Sequence, residues 1–316
     1  MTDKLRVGVV GVGYLGRFHA LIYSRMPNID LVGVVDSDPE TAASVAEEAG
    51  TTVYHDHLDL IGKVDAVSIV VPTTLHLEIS RPFLEAGVHM LLEKPIASTV
   101  DQGREIVELA ANHNCILQIG HLERFNAGIM ELANQIGDST PRFIEAHRMG
   151  AFVARATDVD VVTDLMIHDI DIILSLVKSD IAYVSAVGTP VLTNHIDIAN
   201  ARLEFENGSV ANVIASRVSE KKSRRIRVFA PNNYLSLDFI DQRIDIAYPK
   251  EVPGEEWPEV AVESIEIDPI KPLDAELDAF ANSVLNNEPP LVDGKVGLKA
   301  LDVAMQVIDK INSDAD

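Results

Sequence analysis

A chain of 316 residues, 47% of them hydrophobic, supports a large core and suggests two domains. Its formal charge of −23 argues against nucleic acid or an anionic membrane surface as a partner. No apolar run approaches the roughly 18 residues of a membrane span, and the first strand begins too early to leave room for a signal peptide. The one cysteine, Cys115, excludes an intramolecular disulfide and fits a cytoplasmic location. It lies in an apolar run and reads as a buried structural thiol rather than a nucleophile.

In chain order, Val7, Val9 and Val10 mark a buried strand over residues 6–10 that runs into Gly11-x-Gly13-x-x-Gly16, with a helical pattern through Arg25. Gly11 permits the tight turn, Gly13 lets a pyrophosphate approach the backbone, and Gly16 lets the helix sit close on the strand. Tyr14 and Leu15 occupy the variable positions of this fingerprint and open the helix whose N-terminal N–H groups face the phosphates. A second apolar run, 31–36, ends in Asp36, twenty residues past the last glycine, where a carboxylate grips the adenosine ribose. The alternative for Asp36 is a helix cap before Pro39. Ser37 and Asp38 bring no cation for a 2′-phosphate, which favours NAD over NADP.

Further strands are predicted at 52–54, 66–71, 89–93 and 116–120, with helices at 39–49, 74–86 and 100–113 between them. Ser98 with Asp101 resembles a capping box for the last of these. Apolar strands separated by helices predict an α/β, doubly wound parallel sheet, whose ligands lie beyond the carboxyl ends of its strands. Polar groups gather at three such ends: Val71-Pro72-Thr73-Thr74-Leu75-His76, Glu93-Lys94-Pro95, and Gly120-His121-Leu122-Glu123-Arg124-Phe125-Asn126.

Past about residue 140 the pattern changes. Strands are predicted at 143–148, 182–191, 200–205, 208–216, 224–230, 234–238 and 243–247, and Asn207-Gly208 is a type I′ hairpin signal. Successive strands without intervening helices predict an open antiparallel sheet in a second, α+β domain. The expected division is residues 1–121 and 122–316. Closing helices at 272–285 and 296–311 are expected to pack back across it.

One long helix, 161–177, carries Val162, Leu165, Met166, Ile170, Ile173 and Val177 on one arc and Asp164, His168, Asp171 and Ser175 on the other. Asp164 and His168 are i, i+4 neighbours, although periodicity alone describes their side as solvated. Asp169 falls inside the apolar arc and requires a hydrogen-bond partner there.

The glycine fingerprint, Glu93-Lys94-Pro95 and Asp164-x-x-x-His168 together resemble the Gfo/Idh/MocA family over nearly the whole chain. The resemblance implies an N-terminal NAD(P)-binding domain, a C-terminal open sheet and a cis bond before the motif proline, here Lys94–Pro95. It maps the family's lysine onto Lys94, its paired acid and imidazole onto Asp164 and His168, and its cofactor-contacting segments onto Val71, Pro72, Thr73, His76, Glu93 and Lys94. Segments 120–126, 157–162, 164–169 and 216–222 are more similar to the branch containing UDP-N-acetylglucosamine 3-dehydrogenases, which oxidise the sugar C3 hydroxyl on the route to a lipid A amino sugar.

On that resemblance His168 is the expected base, Asp164 its orienting acid, and Lys94 the cation that stabilises an alkoxide; Lys94 as the base is the alternative. A nucleotide-sugar substrate needs cations for its diphosphate. Arg124, Arg148 and Arg155 are candidates, with Asn126 a sugar contact and Lys94, Asp164 and His168 around the reacting carbon. The dense cluster Lys221, Lys222, Arg224, Arg225 and Arg227 reads equally as a solvated strand edge or a phosphate site. His19, His55, His113 and His195 read as ordinary histidines, and no metal is expected. A homodimer or homotetramer through the C-terminal sheet is the expected assembly. A polyol, inositol or hexose dehydrogenase, an NAD-dependent glycosidase and an NAD-sensing regulator are the alternatives; intact Lys94, Asp164 and His168 count against the last.

Overall fold

The structure is a computed structural model that describes residues 4–153, 159–231, 233–253, 255–268 and 270–313. It separates into two compact units: the chain up to Leu122 together with Lys271–Leu301, and Glu123–Ile270 together with the residues from Asp302 on.

In the first unit the apolar runs form β1 (Leu5–Val10), β2 (Ile29–Val35), β3 (Thr52–Tyr54), β4 (Ala66–Ile69), β5 (His89–Glu93) and β6 (Leu117–Gly120). They are joined by α1 (Tyr14–Arg25), α2 (Pro39–Ala49), α3 (His76–Glu85) and α4 (Val100–Asn112). All pairings are parallel, in the order β3-β2-β1-β4-β5-β6. The order reverses between β1 and β4, the switch point where such sheets open a crevice for ligands. Val7, Val9, Val34, Ala66 and Leu91 are buried with Ala20 and Tyr23 of α1, which is why these strands read as continuous apolar runs rather than alternating ones.

Four local expectations are corrected by the structure. Residues 70–71 leave the sheet after Ile69, and the predicted helix 74–86 starts as a short 3-10 turn at Thr73–Leu75 before α3. The cap of α4 is Thr99, whose hydroxyl accepts from the Gln102 N–H at 3.3 Å, not Ser98. Cys115 is half-buried; its thiol donates to the Leu84 carbonyl at 3.6 Å, and burial pushes its pKa up to about 11, so it is not a ready nucleophile.

The second unit begins with α5 (Ala127–Ile136) and β7 (Phe143–Met149), continues through a π-helical turn at Val162–Met166 into α6 (Ile167–Val177), and then runs through seven strands. These are β8 (Ile181–Thr189), β9 (Ile198–Phe205), β10 (Val210–Ser216), β11 (Ser223–Ala230), β12 (Asn233–Asp238), β13 (Arg243–Lys250) and β14 (Glu259–Glu266). Two helices follow, α7 (Pro272–Asn286) in the first unit and α8 (Gly294–Ser313), within which the division between the units falls.

The eight strands order as β14-β13-β12-β11-β7-β10-β9-β8. The sheet is mixed rather than wholly antiparallel: β7 and β10 run parallel, because the π turn, α6 and the β8–β9 hairpin form a crossover between them. One face is closed by Ile144, Ala146, Val213 and Leu203, all buried. The turn at Asn207-Gly208 is not type I′. Gly208 has φ +81° but Asn207 has no positive φ, and the Phe205 N–H bonds to the Ser209 carbonyl at 2.9 Å, which makes a three-residue loop ending in a left-handed glycine.

Two elements escaped the sequence reading. Helix α5 is short and follows the 3-10 turn Leu122–Phe125 directly. Edge strand β14 carries Glu259, Glu263 and Glu266 and is exposed along most of its length, so its period-2 signal is weak.

Candidate functional site

At the switch point the glycine fingerprint takes the geometry its chemistry requires. Gly11 has φ +83°, and a Cβ there would stand 2.4 Å from the Val70 carbonyl oxygen; a Cβ on Gly16 would stand 1.8 Å from the Gly11 carbonyl oxygen. No larger residue fits either place. A Cβ on Gly13 would meet nothing within 4 Å, and Gly13 opens α1 with no side-chain cap and no acid in the first turn. Uncapped N–H groups, the positive dipole end and open space together make an anion seat.

Asp36 braces this loop. Its Oδ2 accepts from the Val12 N–H at 2.7 Å and its Oδ1 from the Asp38 N–H at 3.0 Å, each oxygen keeping a further lone pair. The helix cap is Asp38, whose carboxylate accepts from the Glu40 N–H, so the alternative reading of Asp36 as the cap is set aside. A cavity of about 610 Å³ opens here, walled by Gly11, Gly13, Asp36, Val71 and Pro72 among others. Its wall also includes Ser37, His55, Asp56 and His57 but, among the described residues, no Arg or Lys to pair with a 2′-phosphate. His55 was expected to be ordinary. It follows the carboxyl end of β3, a position that marks it by the same strand-end rule.

Other expected cofactor residues do not line that cavity. Tyr14 is 81% exposed, with its ring edge-on to Phe18 at 5.6 Å. Leu15 and Thr73 are half-buried, and Gly16 packs under the loop. His76 is 1% exposed, with Nε2 3.0 Å from the Val71 carbonyl oxygen and Nδ1 3.3 Å from that of Ile96. It straps the loop after β4 to the loop after β5.

Burial holds the His76 pKa below its ordinary value, its two carbonyl neighbours only partly offsetting this. The neutral folded form therefore stabilises the protein fully above about pH 6.5, the value of an unfolded histidine, and this contribution declines as pH falls from there toward the folded value. His76→Gln should flatten stability against pH between about 5 and 7, measured as urea midpoints; an unchanged slope would reject the strap's part in acid sensitivity.

The Lys94–Pro95 bond is cis. Glu93 is turned inward: Oε2 accepts from the Lys94 N–H at 3.3 Å, Oε1 lies 3.5 Å from Nε2 of the fully buried His19, and a Cβ on Gly120 would come within 2.9 Å of the carboxyl group. Gly120 thus leaves room for Glu93, which positions the turn bearing Lys94. Lys94 itself is half-buried. His19, expected to be ordinary, is the group packed on this carboxylate.

In the second unit, Asp164 lies in the π-helical turn and His168 in the first turn of α6, both half-buried. Such a turn inside a helix often accompanies a functional site. The supposedly solvated arc of α6 is covered. Asp171 is 1% exposed and accepts from Arg124 at 3.3 Å, and Asp169, 3% exposed, accepts from Nε and Nη2 of Arg148 at 2.8 and 2.9 Å.

Arg148 of β7 and Arg224 of β11 are direct cross-strand partners, a repulsive placement that Glu123 resolves by pairing with both. Burial opposes ionisation of Glu123, yet the Arg148 and Arg224 charges outweigh it and hold its pKa below the usual value. Asn126, expected at the sugar, caps α5 through the Gly128 N–H at 2.9 Å. Arg155 lies outside the described residues.

The basic cluster divides by strand alternation. Arg225 and Arg227 point to the outer face, pairing with Asp238 and Glu145, whereas Lys222 and Arg224 line a cavity of about 520 Å³ with Arg148, Arg217, Asp164 and Glu220.

Residues 5–121 match the oxidoreductase family with an NAD-binding Rossmann fold (GFO_IDH_MocA), and residues 134–235 match the GFO/IDH/MocA C-terminal domain. The chain is 38% identical over 305 residues, 96% of either chain, to the UDP-N-acetylglucosamine 3-dehydrogenase of Acidithiobacillus ferrooxidans. A solved structure of that enzyme superposes with a TM-score of 0.92 at 37% identity, over 99% of both chains. Inositol 2-dehydrogenase of Rubrobacter xylanophilus is 31% identical over 198 residues, 60% of this chain and 57% of that one. Scyllo-inositol dehydrogenase of Lactobacillus casei, solved with NAD(H) and scyllo-inositol, shares the fold with a TM-score of 0.82 at 22% identity over 99% and 98% of the chains. The glycine cradle, the acidic brace at the end of β2 and these relationships place the chain in the Gfo/Idh/MocA family of NAD-dependent oxidoreductases.

Proposed function

We propose that this enzyme oxidises the C3 hydroxyl of UDP-N-acetylglucosamine to the 3-keto sugar. The observation that carries the reading is the end-to-end sequence similarity to the Acidithiobacillus ferrooxidans enzyme, at 38% identity, against the partial sequence match to the inositol dehydrogenase of Rubrobacter xylanophilus. NAD, when bound, supplies the hydride acceptor at nicotinamide C4. Gly13 and the N-terminus of α1 hold its pyrophosphate and Asp36 its ribose hydroxyls, an assignment supported by the open space at Gly13 and the spare lone pairs of Asp36.

His168 takes the hydroxyl proton as the C3–H bond gives up its hydride, Asp164 orients the imidazole, and the Lys94 ammonium stabilises the developing alkoxide. Glu93 and His19 position the Lys94 turn, and His76 ties that turn to the loop bearing Val71 and Pro72.

The same reading places the keto product on the lipid A amino-sugar route in the cytoplasm. It also gives the second unit a role as the oligomer interface. The outer face of its sheet carries a row formed by Phe143, Phe229 and Tyr234, with successive ring centroids 5.6 and 5.4 Å apart, and exposes Tyr183, Val187 and Val262. Exposed aromatic and branched side chains of this kind favour self-association.

Mixing the protein with NAD and UDP-N-acetylglucosamine should generate NADH absorbance, with little from myo-inositol. NADH from myo-inositol alone would move the assignment to the polyol dehydrogenases, and release of free sugar without net NADH would move it to the glycosidases.

A further inference from the structure

In a chain with 49 acids against 26 bases, four cations on one cavity wall stand out: Arg148, Arg217, Lys222 and Arg224. They are not equivalent. All three nitrogen positions of Arg148 are engaged by carboxylates, Nε and Nη2 by Asp169 and Nη1 by Glu123. Arg217 is 6% exposed, donates to the Val159 carbonyl at 2.5 Å and lies 3.6 Å from Asp197, so it closes the loop beside the cavity.

Arg224 differs. Its guanidinium carbon lies 4.2 Å from the centroid of the Phe239 ring, and Glu123 pairs with its Nη2. Its Nε–H has no hydrogen-bond partner among the described residues. A guanidinium set against a ring and pinned at Nη2 by a carboxylate has already lost its rotamer freedom; with Nε buried, its Nη1 N–H groups are the ones left to donate to a phosphate. Lys222, immediately before β11, is exposed at the cavity's rim and adds a point charge. About 520 Å³ falls within the range of small-molecule sites.

Resting on the nucleotide-sugar reading above, we infer that Arg224 and Lys222 hold the diphosphate of the nucleoside diphospho-sugar in this cavity, with Glu123 and Arg148 as the positioning pair beneath them. This moves the diphosphate away from Arg124, which Asp171 occupies. It also explains why the basic cluster alternates: the inward members meet the ligand while Arg225 and Arg227 are spent on outer-face ion pairs.

Calorimetric titration of UDP into the full-length protein holding NAD tests the assignment. Arg224→Gln should weaken UDP about 10–100-fold, the scale of a hydrogen-bonded charge. Lys222→Ala, at an exposed position that leaves packing untouched, should weaken it roughly 3–10-fold with no change in Tm. Inorganic pyrophosphate should displace UDP and uridine should not. Unchanged UDP affinity in both variants, or displacement by uridine but not pyrophosphate, overturns the inference. Turnover of UDP-N-acetylglucosamine by the unaltered protein is scored in parallel. Turnover with variants that bind UDP normally rejects this cavity alone, whereas variant-sensitive UDP binding without turnover rejects the sugar oxidation alone.

Discussion

His168→Asn is expected to lower kcat by about 10²–10⁴-fold, the usual worth of a positioned general base, with NAD affinity retained. Asparagine keeps a polar group of similar reach but cannot accept the hydroxyl proton at neutral pH. Lys94→Met, which keeps the length of the side chain but removes the charge proposed to stabilise the alkoxide, should cost about 10²–10³-fold in kcat. The double variant should lose far less than the product of the two effects, because residues that act as one unit are not additive. The pH–rate profile separates the roles. If His168 is the base, Lys94→Met keeps the acid limb of kcat; if Lys94 is the base, that limb disappears with it. Near-wild-type kcat in both single variants would remove the proposed chemistry altogether.

Arg148→Met is the substitution with the largest expected effect on stability, about 3–5 kcal/mol. The guanidinium lies between Asp169 and Glu123 on the buried side of β7, and methionine keeps much of its apolar stem while removing every donor. Two carboxylates would then remain, Asp169 3% exposed and Glu123 facing only Arg224.

The effect carries a pH signature. With its folded pKa depressed, Glu123 contributes stability above its ordinary value near 4.3, and this is lost as pH falls through the folded value. Without Arg148 the Glu123 pKa rises, so the gap between variant and parent should narrow on acidification below about pH 5. Urea midpoints followed by far-UV circular dichroism at pH 7 and pH 4.5 measure this. Adding Asp169→Leu to Arg148→Met should recover part of the loss, since removing both charges costs less than stranding one. A single variant as stable as the parent at pH 7 would show that the network contributes nothing.

How much of this was legible in the chain depends on the range of the interaction that decides each feature. The fingerprint glycines were readable because each demand is local: a positive φ at Gly11, and a contact at Gly16 with a carbonyl only five residues away. The parallel sheet was readable because strands covered on both faces must be apolar throughout. Strand β14 and helix α5 were not, since an acidic edge strand and a ten-residue helix bury little and leave weak periodic signals. The capping role of Asn126 was not legible because an amide that caps a helix and one that binds a sugar have the same sequence appearance.

By itself the sequence determined the order of most elements, the Rossmann crevice and the preference for NAD, which follow from periodicity and from residue types at short spacings; the family followed from the resemblance of its motifs. The tertiary structure alone decided the rest. Register across β7 and β11 set Arg224 opposite Arg148 and brought Glu123, from a separate turn, between them. The crossover through α6 made the second sheet mixed and buried Asp169 and Asp171 against arginines distant in sequence. Charge pairing over such separations depends on which surfaces pack together, and a composition of 49 acids and 26 bases allows a very large number of pairings until the backbone selects one.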